Sequence, residues 1–584
     1  MARIITRKPN WDSSGLPPEM DTLLRRIYAA RGIDNSEMLD LGLSKLPSPD
    51  SLKGIHKAIS RLIEALLSNE RIIIIGDFDA DGATGTALML LGLRAMGFRF
   101  VDYLVPNRFE FGYGLTPEIV SLALKQKPDL LVTVDNGISS IEGVCSANER
   151  SIDVIVTDHH LPGAQLPDAC AIVNPNQADC QFPSKNLAGV GVCFFLLIAL
   201  RTELRERNWF LRESLAEPHL ATWLDLVALG TVADLVPLDH VNRILVQQGL
   251  IRLRAKKCRE GISALLRVSG KQSNHLVAAD LGFAIGPRIN AAGRLDDISL
   301  GIQCLITDDR QDALDLANEL DQLNQNRKKI ERDMQEEANV LLKKFDFSEI
   351  SDSSCAICLF HADWHPGVVG LLASRIKDKY QRPVIAFARD DVNRDLSQKK
   401  PQLKGSCRSV PALHIRDALE AVSNRRPKLL SRFGGHSMAA GLSLDECNLE
   451  SFVQEFQAHV SQKLLTKDYE VAFMIDGHLR PDQLVQSTAK LLRDSGPWGQ
   501  HFPEPSFSDE FIVEQQKVVG KNHLKLVLRH PDGHRYLDAI YFNMDMEKWP
   551  NYDSKRFNCV YRLAINEYGG LQKFQLVIEY MESI

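Results

Sequence analysis

Arg71 to Ala87 reads RIIIIGDFDADGATGTA. Four consecutive isoleucines between an arginine and a glycine are too short a run for a free-standing helix and are β-branched throughout, so they predict a buried central strand. Asp77, Asp79 and Asp81 leave its end, alternating with Phe78 and Ala80, and extended backbone throws alternate side chains to the same side. Gly82 to Thr86 then open a helix, TALMLLGLRAMG. Like charges gathered at a strand end repel unless a cation or hydrogen-bond donors neutralise them, so the stretch points to a metal site. Two other uses of the motif fall away. An EF-hand calcium loop needs a glutamate at its twelfth position, which is Leu88 here, and a phosphate-binding P-loop needs Gly-Lys-Ser/Thr where this chain has Gly85-Thr86-Ala87. A solvated acidic turn is the remaining alternative, to be weighed against the neighbouring strands.

Those strands repeat the pattern. DLLVTVDNGISS is a short apolar run ending at Asp135 and an Asn136-Gly137 turn, and IDVIVTDHHLPG ends at Asp158-His159-His160. Strands alternating with helices at these lengths predict a parallel, doubly wound sheet, whose ligands gather outside the carboxyl ends of the strands. Asp77, Asp79, Asp135 and His159 would converge there. TWLDLVALGTVADLVPLDH places Asp234 in an apolar segment; buried carboxylates are scarce unless paired or ligated, which makes it a fifth ligand and Asp225 a weaker one that serves to cap or brace a helix. RFVDYLVPNRFEFGYGL runs from a strand into an aromatic loop with Arg108, either a surface charge or a phosphate-binding arginine. LGFAIGPRINAAGRLDD reads as a glycine-rich turn carrying Arg288 and Arg294 around Asn290, either a phosphate site or a helix cap with surface charges.

With 584 residues the chain should form several domains. A formal charge of −6 leaves no overall polycationic character, so any nucleic-acid surface must be a local groove. The start lacks the apolar core of a signal peptide, and the most apolar run, GVGVCFFLLIAL, is too short to span a bilayer and reads as a buried helix. The eleven cysteines are scattered, and Cys355 with Cys358 has no second pair to complete a zinc site, so free thiols in a reducing cytoplasm are expected. Residues 1–70 form a helical lead-in, 71–307 the first α/β domain, 308–346 one long connecting helix and 347–466 a second α/β domain. The second domain ends at Gly434-Gly435 and His436, where the glycines serve either backbone approach to a ligand or a structural turn. Residues 467–584 alternate in short strands and predict a five-stranded oligonucleotide-binding barrel. Lys517, Lys521, Lys525 and Arg529 mark a basic face on it, unless the barrel docks a protein partner.

DFDADG, DNG, DHH and GTVAD, followed by GPRINAAGR, WHPGVVG, GSCRS and FGGH, occur in one order from about residue 20 to the end. In this the chain resembles the RecJ family, bacterial single-strand-specific exonucleases of the DHH phosphoesterase superfamily. The resemblance implies a DHH catalytic domain, a DHHA1 domain and an oligonucleotide-binding fold. It makes Asp77, Asp79, Asp135, His159 and Asp234 ligands of two divalent ions, Mn²⁺ or Mg²⁺, with Asp135 bridging. It adds His160 as a catalytic phosphate contact and gives Asp158 and Asp81 supporting roles. It makes Arg408, Ser409 and His436 nucleic-acid and terminal-phosphate contacts, and Arg108, Arg288, Asn290, Gly434 and Gly435, read above from the residues themselves, join them as expected substrate contacts. His365-Pro366 stands where the family has histidine-glutamine, and Cys407 where it commonly has glycine; neither touches a proposed ligand. The implied activity is 5′ to 3′ hydrolysis of single-stranded DNA to 5′-mononucleotides in recombination and mismatch repair. A monomer working beside a helicase and a single-strand-binding protein, with no membrane contact, is implied with it. A relative cutting short oligonucleotides or pyrophosphate needs neither long helix nor barrel, and a non-catalytic scaffold needs no complete ligand set.

Overall fold

Ile72–Ile75 lies inside a five-stranded parallel sheet in the order Val101–Leu104, Ile72–Ile75, Leu130–Val134, Asp153–Thr157, Ala171–Val173. The computed structural model describes residues 3–8, 15–106, 114–343, 355–390, 401–464, 472–520, 522–544, 549–568 and 571–584. All four isoleucines are buried, worth roughly 2 kcal/mol each, and both faces of the sheet are covered as a parallel sheet requires. The helix Ala80–Ala95 leaves the central strand, with Asp79 as its cap accepting from the amides of Asp81 and Gly82 at 3.0 Å each. It packs against Gly189–Glu206, the apolar run expected to be a buried helix, and against Leu224–Ala233. None of the eleven cysteines is in a disulfide, and among the described residues no helix is long and apolar enough to cross a membrane.

The expected long helix spans Arg310–Leu342, 33 residues and about 50 Å. Its first half contributes Ala313, Ala317 and Leu320 to the core of the first domain; its last turns place Met334, Ala338 and Leu342 in a separate cluster with the second. The second sheet runs Arg432–Gly435, Ala439–Asp445, Gln402–Arg408, Val384–Arg389, Ile357–Phe360, antiparallel except for its last pair. Phe507–Val519, His523–Arg529, Tyr536–Tyr541, Leu571–Ser583 and Arg556–Tyr568 close into a five-stranded barrel.

Two expectations change. The lead-in contains the helices Thr22–Ala29 and Ile55–Ser68, yet it begins with a strand, Arg3–Thr6, paired in parallel with Ala472–Ile475 ahead of the barrel. The glycine-rich turn around Asn290 is helical: a π-turn, Leu281–Ile285, runs into the helix Gly286–Leu295. Its glycines serve close packing, since a Cβ on Gly293 would stand 1.9 Å from the carbonyl oxygen of Phe78. Arg108 and Lys521 lie outside the described residues.

Candidate metal centre

The carboxyl ends of three adjacent strands and the end of one helix meet at a single rim of the first sheet. Asp77, Asp79 and Asp135 offer oxygens all within 4.8 Å of one another, and Asp135 also belongs to a group with His159 and His160. His159 Nε2 lies 3.1 Å from Asp135 Oδ1 and 3.4 Å from Asp234 Oδ2, which follows the helix Leu224–Ala233. Asp135 is 2% exposed and sits in left-handed backbone at φ 63°, a conformation that costs a non-glycine residue about 1–2 kcal/mol and recurs where function needs it. Asn136 ties this turn to the central strand by donating to the carbonyl of Ile75 at 3.0 Å.

The electrostatics are those of a cation site. Burial and the charges of Asp81, Asp79, Asp234 and Asp77 push the Asp135 carboxyl well above its ordinary range; burial and Asp81, Asp79 and Asp77 do the same to Asp234. Burial first and the neighbouring His160 second lower His159 to about 4, so its imidazole is neutral near pH 7, as a ligand must be. His159 Nε2 is buried and makes no hydrogen bond among the described residues. Carboxylate oxygens with one neutral imidazole nitrogen fit a hard divalent ion such as Mn²⁺ or Mg²⁺.

Supporting groups hold these donors in place. Asp158 accepts from the amides of Ile138 (2.9 Å), His159 (2.7 Å) and His160 (3.0 Å), and from His160 Nδ1 at 2.7 Å. Burial, the largest single influence, would raise Asp158, but the bond to His160, the charges of His160 and His159 and the His160 amide together hold the carboxyl low; burial would likewise lower His160, and the bond to Asp158 with the charges of Asp158, Asp77 and Asp79 together raise it. Asp81 accepts from the amides of Gly189 (2.6 Å) and Val190 (2.9 Å), while burial and Asp79 push it up to about 7. It also stands within ligand distance of His159 and Asp234. Asp225 is apart from the centre: it accepts from the amide of Arg259 at 2.7 Å and braces two helices.

Sequence reasoning missed three contributors. Asn174 donates to the carbonyl of His160 (2.9 Å) and Asn176 to that of His159 (2.6 Å), so the NPN after the strand Ala171–Val173 fastens the double-histidine loop. Polar residues at another strand's carboxyl end were the available signal. Gly189 lies so close that a Cβ there would be 2.6 Å from the Asp135 Cβ.

The remaining sites divide. The His436 ring stacks on His160 with centroids 6.1 Å apart and planes 15° apart, bringing the second domain over the centre. Arg408 pairs in register with Ala439 beside it and bonds Ser374 Oγ at 3.0 Å. Gly434 has open space where a Cβ would point; Gly435 has φ +140° and a Cβ there would strike Ala439, so its reason is backbone geometry. The Ser409 hydroxyl donates to the carbonyl of Leu413 at 2.7 Å. Asn290 Oδ1 accepts from the amide of Ala80 at 2.8 Å, pinning the aspartate-bearing turn, and Arg288 is paired with Asp321 on the long helix at 2.7 Å. Cys407 is buried among core residues and His365 Nδ1 accepts from the amide of Gly367 at 3.0 Å.

Three family models match in sequence order: the DHH family N-terminal domain over residues 71–231, the DHHA1 domain over 352–462 and the RecJ OB domain over 475–580. The single-stranded-DNA-specific exonuclease RecJ of Dickeya dadantii is 51% identical over 99% of this chain and 98% of that one. RecJ of Escherichia coli is 50% identical over 97% of each. The crystal structure of RecJ from Thermus thermophilus in complex with Mn²⁺ superposes with a TM-score of 0.79 at 30% identity, covering all of this chain and 79% of that one. Half of all positions are shared over nearly the full length of both chains, with the same three modules around an acidic, imidazole-bearing rim, and on these grounds the chain belongs to the RecJ family of DHH phosphoesterases.

Proposed function

We propose that this chain is a single-stranded-DNA-specific exonuclease that hydrolyses phosphodiester bonds 5′ to 3′ and releases 5′-mononucleotides in recombination and repair. The observation that carries the proposal is the meeting of two overlapping ligand groups at Asp135. Asp77, Asp79 and Asp135 would hold one ion, and Asp135, His159 and Asp234 the other. Four carboxylates formally balance two divalent cations, leaving the centre near neutral until the phosphodiester arrives. When bound, such ions lower the pKa of the attacking water and offset charge building on the phosphoryl oxygens. His160, oriented by Asp158 and facing His436, is placed to donate to a substrate phosphate. Arg408 and His436 would receive the terminal phosphate, so that the strand enters end first. The breadth between the two domains would admit one strand and refuse a duplex. A monomeric enzyme in the cytoplasm, handed its strands by a helicase and a single-strand-binding protein, fits this scheme.

With Mn²⁺, a 5′-phosphorylated single strand should be digested to mononucleotides and a blunt duplex should resist. Asp135→Ala should slow digestion by at least about 10²–10³-fold, the scale of losing one preorganised electrostatic partner, and should abolish the high-affinity phase of a calorimetric Mn²⁺ titration. Full activity in that variant would remove the bridging assignment.

A further inference from the structure

We infer that Asn136 is a positioning residue of the hydrolytic step, its side-chain oxygen accepting a hydrogen bond from the attacking water and fixing the direction in which that water meets the phosphorus. The inference rests on the nuclease proposal above. The chain runs outward from Ile72–Ile75 to Val101–Leu104 and then crosses back to Leu130–Val134, so the strand order reverses between Ile72–Ile75 and Leu130–Val134. Sheets of this kind bind their ligands at that crevice. Asn136 spans it. Asp135 at φ 63° and Gly137 at φ +111° bend the backbone on either side, and the Asn136 side chain, 1% exposed, lies back over the strand ends. Both of its N–H groups are used there, on the carbonyls of Ile75 at 3.0 Å and Val134 at 2.9 Å, one from each strand flanking the crevice.

The oxygen of the same amide is buried and makes no hydrogen bond among the described residues. An unpaired buried amide oxygen costs about 1–3 kcal/mol, so a donor must meet it in the working protein. Neighbouring main-chain donors are committed elsewhere: the amide of Asp135 to Thr157 at 3.0 Å, that of Ile138 to Asp158 at 2.9 Å and that of Gly76 to Leu104 at 3.1 Å. The carboxylates of Asp77 and Asp135, gathered at the same strand ends, accept and do not donate when ionised. Water is the donor that remains, and a water polarised by a divalent ion is a strong one. A neutral amide oxygen orients it without adding a fifth charge to the four carboxylates. One rival stands beside this reading. The Thr86 hydroxyl is also buried without a hydrogen bond and would lie 2.3 Å from a Cβ on Gly76, so a structural water shared by Thr86 and Asn136 must be separated from a reacting one.

The test sets Asn136→Ala and Asn136→Asp against Thr86→Val, with Mn²⁺ and a 5′-phosphorylated single strand. Asn136→Ala should lose about 10–100-fold in kcat, the usual scale for removing a group that orients a metal site from outside its ligand set, with KM and the calorimetric Mn²⁺ affinity unchanged. In D₂O, deuterium ENDOR of the bound Mn²⁺ should show an ordered deuteron that Asn136→Ala loses and Thr86→Val keeps, and Thr86→Val should digest at the original rate. Asn136→Asp returns an acceptor oxygen with a negative charge, which disfavours loss of the proton from the water, so the acidic limb of its kcat profile should move to higher pH. Weaker Mn²⁺ binding in Asn136→Ala would make the residue a brace or a ligand, and an equal loss in Thr86→Val would make its partner a structural water; either overturns the inference while the unaltered protein goes on cutting strands. An unmoved acidic limb in Asn136→Asp overturns it as well. Failure of the unaltered protein to cut any strand would bring down the nuclease proposal and this one with it.

Discussion

At the scale of single residues, the centre is built as much by what is missing as by what donates. Gly189 brings its amide within 2.6 Å of Asp81 and leaves room for Asp135; an alanine there would press its Cβ to 2.6 Å from the Asp135 Cβ and 2.7 Å from its Oδ1. Such overpacking typically costs 1–3 kcal/mol, and displacing a group that orients metal donors typically costs about 10–100-fold in affinity or rate. Gly189→Ala should therefore weaken Mn²⁺ binding by that factor, read by calorimetry, with a melting temperature lowered by only a few degrees. An unchanged Mn²⁺ affinity would mean that Asp135 does not ligate. Asp77 and Asp135, two of the proposed donors, were legible because each follows an apolar strand, Ile72–Ile75 and Leu130–Val134, whereas Asp234, at the end of the helix Leu224–Ala233, stood out only as a carboxylate in an apolar segment. Gly189 was not legible, because its partner Asp81 lies 108 residues away and nothing local marks a glycine as a brace; Asn174 and Asn176 sit at a strand's carboxyl end, but they hold His160 and His159 through backbone carbonyls, which no side-chain pattern announces.

At the scale of elements, local pattern succeeded where an element's reasons are local. The long helix shows its periodicity and caps itself at Asp309, and the buried helix Gly189–Glu206 is apolar nearly all round. It failed for Arg3–Thr6, two isoleucines between polar residues whose pairing partner begins at Ala472, and for GPRINAAGR, where glycines that look like a turn instead let a helix pack on Phe78 and Ala233. The N-terminal strand matters because its partner strand leads straight into a buried ion cluster. Asp476, with its side chain fully buried, takes Arg31 Nη1 at 2.6 Å, Arg7 Nη1 at 3.1 Å and the amide of Ser506 at 3.1 Å. Arg31 also lies over the Trp498 ring at 5.2 Å and Arg243 over Phe502 at 4.5 Å, so the approach to the barrel is clamped to the first domain. Removing one partner of a buried ion pair strands the other, at about 3–5 kcal/mol. Asp476→Ala should accordingly open the segment before Phe507 to limited proteolysis and lower the first melting transition, with Mn²⁺ affinity unchanged. Wild-type protease resistance would show that the clamp contributes little.

At the scale of the whole molecule, the long helix is the ruler that sets where His436 meets His160. Its two halves belong to different cores, Ala313 to Leu320 in the first and Met334 to Leu342 in the second, and the span between is braced by Arg327 with Glu331 at 2.6 Å and Glu331 with Arg375 at 3.0 Å. Across the junction, Arg294 donates to the carbonyl of Gly367 at 3.2 Å and Trp364 Nε1 to Glu337 at 2.8 Å. A helix transmits rotation rigidly, about 100° and 1.5 Å per residue. One alanine inserted after Asn326 would turn the second domain away from the metal rim while leaving each core its own contacts. Digestion of long single strands should fall by on the order of 10²-fold, the usual cost of misplacing reacting groups by an ångström or more, whereas Mn²⁺ titration of the proposed first-domain ligands should be unaltered. Digestion at the original rate would mean that the chemistry needs only the first domain, and that the His436 stack on His160 is a resting contact with no part in holding the strand.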